Sequence, residues 1–174
     1  MAKLARLNLA AAANRGTPFT PTYPVLGEDG EYPPILGADG APATITLRGA
    51  DSDVARRLTR QHRATMQNRM AALAFGGKQQ TALTEQDIAE QEAHDLELVI
   101  ACTIAWTGIE DDDDQPIPCT PENARRLYEA APYLVEQAMR HLRDRSRFFA
   151  PSSTPSAAPS TTDSASESAE GAAA

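Results

Sequence analysis

The stretch from Thr120 to Arg143, TPENARRLYEAAPYLVEQAMRHLR, carries the clearest helical pattern in the chain. Thr120 is a favourable N-cap, and Pro121 suits the first helical position, where its missing N–H group costs nothing. Pro132 is predicted to break or kink the helix, because its ring clashes with the preceding turn. Apolar residues recur at spacings of three and four, so we predict two short helices that share one core-facing stripe. The stripe consists of Ala124, Leu127, Tyr128, Ala131, Leu134, Val135, Ala138, Met139 and Leu142.

Two longer helices are predicted upstream of this stretch. The first runs from Asp53 to about Phe75 and is ended by Gly76-Gly77, since glycine favours the left-handed turn that follows a helix. The second opens at Thr84, with Asp87 placed to complete a capping box, and ends near Trp106. Its core face is predicted to comprise Ile88, Leu96, Val99, Ile100 and Ile104.

One strand is predicted before these helices. Residues 43–47, ATITL, place β-branched side chains at a period of two, which is typical of a half-buried strand. We expect this strand to pair with residues near Val25 or Ile35. Further upstream, residues 26–30 and 36–40 repeat one turn signal, with Asp-Gly at each tip.

Together these elements predict a mainly α protein: a small helical domain with a short N-terminal strand or hairpin. Residues 1–42 are rich in turn signals and are predicted to form an extended N-terminal arm, and residues 43–149 form the helical domain. Residues 150–174 consist almost entirely of alanine, serine, threonine and proline. Such a segment buries too little apolar surface to offset an ordering cost of about 1–2 kcal/mol per residue, so we predict a disordered tail.

Charge is segregated along the chain, whose net charge is −8. Residues 51–78 hold six basic residues and two acids, whereas residues 84–122 hold twelve acids and neither lysine nor arginine. Residues 125–147 hold six arginines and three acids. Because opposite blocks attract, we expect the basic helix to form ion pairs with the acidic helix or with another subunit. Nucleic acid is a less favoured partner, since the acidic protein as a whole repels phosphate.

No catalytic, cofactor or metal site is predicted. If Asp111 of the acid run Glu110–Asp114 is the first ligand of a calcium-binding loop, Asp113 and Glu122 occupy the third and twelfth positions, but Pro116 occupies the sixth, where the turn requires glycine. We therefore interpret the run as a solvated turn. The three histidines lie on different predicted helices without metal-ligand spacing. Cys119 precedes a helix start that can lower a thiol pKa, but no nucleophile signature accompanies it, so we predict a half-buried structural cysteine and no enzyme.

The sequence predicts no membrane-spanning helix, because it contains no run of about 18 apolar residues. Residues 1–13 have Arg6 and Asn8 within their apolar stretch, which argues against a secretory signal. Two cysteines, Cys102 and Cys119, do not make a disulfide framework. This cysteine usage favours a reducing cytosol.

Five short motifs follow one another between residues 98 and 149. They are Trp106-Thr107-Gly108, the acid run Glu110–Asp114, Pro116-Ile117-Pro118, Pro121-Glu122-Asn123 and Phe148-Phe149. Their order and spacing resemble those of the tail assembly chaperones of long-tailed bacteriophages, and residues 43–52, ATITLRGADS, are similar to the strand-to-helix entry of the same family. The resemblance covers residues 43–149, with Cys119 at a position where the family often has phenylalanine.

The resemblance implies a binding protein of the host cell cytoplasm, absent from the mature virion. Such chaperones coat the long helical tape measure protein before the tail tube polymerises around it. Tail tube subunits are further partners through a longer frameshifted form, and charge blocks of opposite sign permit self-association. We expect the partner-binding surface to use exposed faces of the apolar stripe and of the aromatic motifs. The candidates are Trp106, Ile109, Tyr128, Leu134, Met139, Phe148 and Phe149.

Two other classes of function compete with this interpretation. The first is a structural protein of the virion, such as a head–tail completion or neck subunit. The second is a small nucleic-acid-binding regulator that follows a phosphate backbone with the arginines between Arg56 and Arg69. No helix-turn-helix or basic-aromatic pattern accompanies those arginines, so the ion-pairing interpretation is preferred.

Overall fold

The computed structural model describes residues 9–75 and 84–149, without the side chains of Leu73, Ala74 and Phe149. Within these residues the protein is mainly α, as predicted. Six helices and one three-stranded sheet lie within these residues. The predicted helix stop at Gly76-Gly77 and the predicted tail, residues 150–174, lie outside them. The elements in chain order are α1 Leu9–Arg15, β1 Thr17–Phe19, β2 Thr44–Leu47, α2 Asp53–Phe75, α3 Glu85–Cys102, β3 Thr103–Thr107, α4 Pro121–Ala130, α5 Pro132–Arg143 and α6 Ser146–Phe149.

Helices α4 and α5 form the centre of the core, which confirms the predicted stripe. The Thr120 side chain caps α4 by accepting the amide of Asn123 at 3.2 Å. Pro132 separates the two helices as expected, because α4 ends at Ala130 and α5 begins at the proline. The residues of the stripe that are buried are Ala124, Tyr128, Leu134, Ala138, Met139 and Leu142.

A capping box opens α3, as predicted. The Thr84 hydroxyl accepts the amide of Asp87 at 3.2 Å, and the Asp87 carboxylate accepts the amide of Thr84 at 2.8 Å. Arg69 of α2 forms ion pairs with Asp87 at 3.1 Å and with Glu90 at 2.7 Å. The expected pairing of the basic helix with the acidic helix is therefore confirmed at Arg69, and it joins α2 and α3 into a hairpin.

Substituting Thr84 by alanine is expected to lower the free energy of unfolding by about 1 kcal/mol, because the first amides of α3 lose their side-chain acceptor. Chemical denaturation followed by circular dichroism measures the change. Thr59→Ala, on the exposed surface of α2, serves as the control and is expected to stay within about 0.5 kcal/mol of the wild type. Equal effects of the two substitutions would contradict a role for the cap.

The core face of α3 was predicted correctly only toward its C-terminal end. Val99 and Ile100 are buried and Leu96 is partly buried against the core, whereas Ile88 is 51% exposed. Ile88 lies in the first turn of α3, where the neighbouring element is the basic α2 rather than the apolar α4 and α5. An apolar residue at the correct helical spacing is therefore exposed, because the core does not extend that far.

The predicted end of the second helix near Trp106 is wrong, because α3 ends at Cys102 and residues 103–107 form β3. Thr103 already has extended backbone angles, and its hydroxyl donates to the carbonyl of Val99 at 2.8 Å. The Thr103 amide also donates to this carbonyl, so the hydroxyl adds a second hydrogen bond where the helix ends. Threonine and isoleucine at positions 103 and 104 favour the strand that follows.

The sheet is antiparallel with the order β1-β2-β3, so the predicted strand β2 is its central strand. Ile45 and Leu47 point into the core and are fully buried. The expected pairing with residues near Val25 or Ile35 is found only at the first residue of the predicted strand, where the carbonyl of Ile35 accepts the amide of Ala43 at 2.8 Å. Residues 44–47 pair instead with β1 on one side and β3 on the other. The side chain of Ile35 is partly buried against the core.

Residues of the predicted N-terminal arm are packed onto the helical domain. β1 belongs to the sheet, and the side chain of Gln137 in α5 bonds both the amide (3.0 Å) and the carbonyl (2.8 Å) of Thr22. His141 of α5 bonds the hydroxyl of Thr17 at 2.8 Å and stacks on Phe19 at a ring-centroid distance of 4.9 Å. The proposed boundary between residues 42 and 43 is thus crossed by sheet pairing and by side-chain contacts with α5.

The repeated turn signal forms two similar turns. Gly30 and Gly40 have φ angles of +78° and +75°, which glycine adopts without strain. The amide of Gly27 donates to Glu31 at 2.7 Å, and the amide of Gly37 donates to Ala41 at 2.9 Å. The prediction of two Asp-Gly turns is confirmed.

Candidate functional site

An open groove of 990 Å³ lies between α3 and α5. On the α3 side it is lined by Ala89, Ala93 and Leu96, which follow one another at spacings of four and three. Residues at that spacing share one helix face, and α5 presents a matching row at spacings of three and four. The α5 row consists of Pro132, Val135 and Met139.

The groove exists because its walls carry small side chains above a filled core. Ala89 and Ala93 are exposed and end at their Cβ atoms, so nothing on α3 covers the gap toward α5. The floor is closed below by Tyr128, which is 1% exposed, and by Met139, which is 5% exposed. Leu96 is partly buried and offers apolar surface that no other part of the described chain covers.

The rim of the groove is acidic. Five carboxylates and two arginines line it, a net charge of −3. Arg143 lies 3.7 Å from Asp95, and both side chains remain partly exposed. A ligand with basic groups flanking an apolar face therefore matches this groove better than an acidic one. The acids are Glu92, Asp95, Glu129, Glu136 and Asp144.

The shape and lining of the groove fit an α-helix of another polypeptide. The apolar row from Ala89 to Leu96 extends about 10 Å along α3, which is roughly two helical turns. Amphipathic helices bind such grooves with apolar side chains at positions i, i+3 or i+4, and i+7. Alanines in one wall allow the backbone of the incoming helix to approach closely, since they project little beyond their own helix.

Among the predicted partner-binding residues whose side chains the structure describes, two reach the groove. Tyr128 and Met139 form part of its floor and are themselves buried. Leu134, of which 1% is exposed, points into the core instead. The same apolar stripe therefore serves mainly to build the domain, and the groove is formed at its margin.

The remaining candidates lie elsewhere. Trp106 of β3 is half-buried, and its Nε1 donates to the carbonyl of Ile117 at 2.6 Å, while Ile109 is buried. Phe148 is 7% exposed and meets the ring of His141 edge-on at 5.8 Å. The side chain of Phe149 lies outside the described residues. Sequence reasoning missed Ala89 and Ala93, whose spacing of four on one helix face was the available signal.

The acidic turn is held by its own hydrogen bonds. The carboxylate of Asp111 accepts the amides of Asp113 at 3.0 Å and Gln115 at 2.9 Å, and Asp114 has a φ of +57°. All four aspartates of the turn are exposed, as predicted for a solvated loop. Within the described ranges, no cluster of histidine, cysteine or acidic residues has the arrangement of a metal site.

Burial dominates the environment of both cysteine thiols. Burial raises the pKa of the Cys102 thiol to about 11. Burial also raises the pKa of Cys119, so the lowering that a helix start can produce does not prevail there. Cys119 is half-buried, which agrees with the structural cysteine predicted from the sequence.

Comparison of the chain with protein-family models, curated proteins and solved structures finds no match. Among residues 9–75 and 84–149, no helix is both long enough and apolar enough to cross a membrane.

Proposed function

We propose that this protein is a tail assembly chaperone of a long-tailed bacteriophage, a binding protein rather than an enzyme, that holds helical segments of the tape measure protein. The observation that carries the proposal is the groove between α3 and α5, whose two apolar rows and acidic rim suit an amphipathic helix with basic flanks. The order of motifs from Trp106 to Phe149 supports the same assignment, and the tape measure protein is the long helical partner that the resemblance implies.

The bound segment would be short. Two turns of helix place three apolar side chains against Ala93, Leu96 and Val135, with basic residues facing Glu92 and Glu136 on the rim. Lysine or arginine can cover apolar surface with its stem while the charge reaches the carboxylates. We therefore expect the chaperone to select segments with small or aliphatic residues at one face and basic residues beside them.

The expected affinity of one groove is low. Three apolar side chains contribute roughly 5–9 kcal/mol when fully buried. Association costs an estimated 4–15 kcal/mol in lost translational and rotational freedom. One groove therefore gives weak and reversible binding, which suits a chaperone that must leave when the tube polymerises.

Filling the groove tests the proposal. Ala93→Gln places a longer neutral side chain between α3 and α5 without breaking the helix, since glutamine is a good helix former. We expect it to weaken binding to the tape measure protein about tenfold, measured by co-purification and by the soluble fraction of the co-expressed partner. Ala130→Gln is the matched control, because Ala130 is exposed on α4 and does not line the groove.

Two outcomes would contradict the proposal. Equal binding by Ala93→Gln and Ala130→Gln would show that the groove is not the contact surface. Recovery of this chain in purified virions by mass spectrometry would favour a head–tail completion or neck protein, since a chaperone leaves before the particle is finished.

A further inference from the structure

A second concave site, here called the basic cleft, lies where the beginning of α2, the middle of α3 and the end of α5 meet. It has a volume of 680 Å³. Arg56, Arg60 and Arg63 of α2 form one wall, since spacings of four and three place them on one helix face. Arg143 and Arg145, at and beyond the end of α5, approach from the other side.

The basic cleft has a net charge of +3 in a protein whose net charge is −8, because five arginines and two aspartates line it. Asp51 accepts two hydrogen bonds from Arg145, at 2.6 and 3.1 Å, and Asp95 lies 3.7 Å from Arg143. Both aspartates of the cleft therefore already have an arginine partner. Within the described ranges, the three arginines of the α2 wall form no ion pair with a carboxylate.

Two histidines lie side by side in the cleft. The rings of His62 on α2 and His94 on α3 stack at a centroid distance of 4.0 Å and an interplanar angle of 8°. The sequence places them on different helices, so only the packing of α2 against α3 brings them together. The charged groups that line the cleft around the pair come from the same elements and their flanks. They are Arg56, Arg60, Arg63, Arg143, Arg145, Asp51 and Asp95.

We propose that the basic cleft binds a compact polyphosphate group. Planar guanidinium groups match the oxygens of phosphate in bidentate hydrogen bonds, and the five cations of the cleft are all arginine. Like charges at neighbouring positions of a helix repel one another, so a row of arginines without carboxylate partners slightly lowers the stability of the free protein. An anion of high charge density in the cleft would remove that repulsion.

The concave shape favours a compact ligand over an extended nucleic-acid backbone. The arginines converge from two sides on one volume rather than forming a row across the surface of the domain. A long polyanion would also run toward the acidic α3 and its neighbours, which repel phosphate. A triphosphate places its charges within the cleft and avoids that repulsion.

His94 is expected to couple binding to protons. Burial lowers the pKa of His94, and the nearby His62 and Arg143 lower it further, against an opposing effect of Asp95. A bound polyphosphate favours the charged form of His94, because opposite charges attract. The ligand therefore binds together with a proton, and affinity rises as the pH falls toward the range where histidine is protonated.

The test is calorimetric titration of the full-length chain with tripolyphosphate at constant ionic strength. We expect saturable binding that Arg60→Gln combined with Arg63→Gln weakens by about tenfold or more. Arg57→Gln combined with Arg126→Gln removes the same charge from exposed positions outside the cleft, and is expected to bind within about twofold of the wild type. Binding is expected to tighten from about pH 8 to about pH 6, and His94→Asn to flatten this dependence.

Each alternative result would overturn the proposal. Absence of saturable binding, or equal weakening by both double variants, would show a diffuse charge effect. Tighter and equally arginine-dependent binding of a single-stranded oligonucleotide would assign the cleft to nucleic acid, and tighter binding of a polyglutamate peptide would assign it to acidic protein. The cleft and the groove share Asp95 and Arg143, but Ala93 lines only the groove, so Ala93→Gln should bind tripolyphosphate normally.

Discussion

Tyr128→Ala is expected to lower the free energy of unfolding by about 4 kcal/mol, because it removes a large side chain from the centre of the core. Tyr128 is 1% exposed and packs where α3, α4 and β3 meet. Its neighbours are held by several elements and cannot collapse into the space, so a cavity remains. Urea denaturation measures the effect, and the variant is expected to unfold at a much lower denaturant concentration.

Tyr128→Phe separates the contribution of the hydroxyl to stability from that of the ring, and Tyr32→Ala serves as an exposed control. The Thr103 hydroxyl donates to the carbonyl of Val99, so the Tyr128 hydroxyl donates to Thr103 across 2.9 Å. Tyr128→Phe removes only this hydrogen bond and is expected to cost about 1 kcal/mol. Tyr32→Ala, at a site that is 56% exposed, should stay within about 0.5 kcal/mol. Similar losses for Tyr128→Ala and Tyr32→Ala would refute the central position of Tyr128.

Gly16→Ala is expected to lower the free energy of unfolding by about 3 kcal/mol, since it combines backbone strain with a steric clash. Gly16 joins α1 to β1 with a φ of +75°. A Cβ atom added there would lie 2.7 Å from Cδ1 of Ile104 and 3.0 Å from the carbonyl oxygen of Leu47. The isoleucine can rotate, but the carbonyl belongs to the central strand, so β1 must move away from β2.

Gly30→Ala measures the loss of stability that comes from backbone strain alone. Gly30 has a φ of +78°, and nothing lies within 4 Å of an added Cβ atom. Its substitution is expected to cost about 1 kcal/mol, the penalty of the left-handed conformation alone. Thermal or urea unfolding of both variants gives the difference, and equal losses would show that the contact between β1 and β2 is not tightly packed.

The helices could be predicted from the sequence because their signals are local. Thr84, Thr120 and Pro132 act on residues within one turn, and each does in the structure what its type predicts. The partners of β2 could not be predicted, because pairing β2 with Thr17–Phe19 and with Thr103–Thr107 depends on contacts that are distant along the chain. A strand pattern identifies a strand and not its neighbours.

The groove and the basic cleft were not predictable for a related reason. Alanine at positions 89 and 93 suits any helix, and it becomes part of a site only because α5 lies across from it. His62 and His94 are 32 positions apart, and their stacking follows from the way α2 folds back on α3. The basic and acidic blocks could be recognised in the sequence. Only the packing of the helices decides that Arg69 pairs with carboxylates while Arg60 has none.

The attachment of Thr17 and Thr22 to α5 affects the order in which the chain can fold during its synthesis. The bonded residues are separated by 124 and 115 positions, from Thr17 to His141 and from Thr22 to Gln137. A ribosome must therefore release most of α5 before Thr17 and Thr22 can bond His141 and Gln137, and contacts of such range form slowly. Nascent chains that stop short of Gln137 lack both attachment points, so these contacts form only after residues 137–141 have been synthesised.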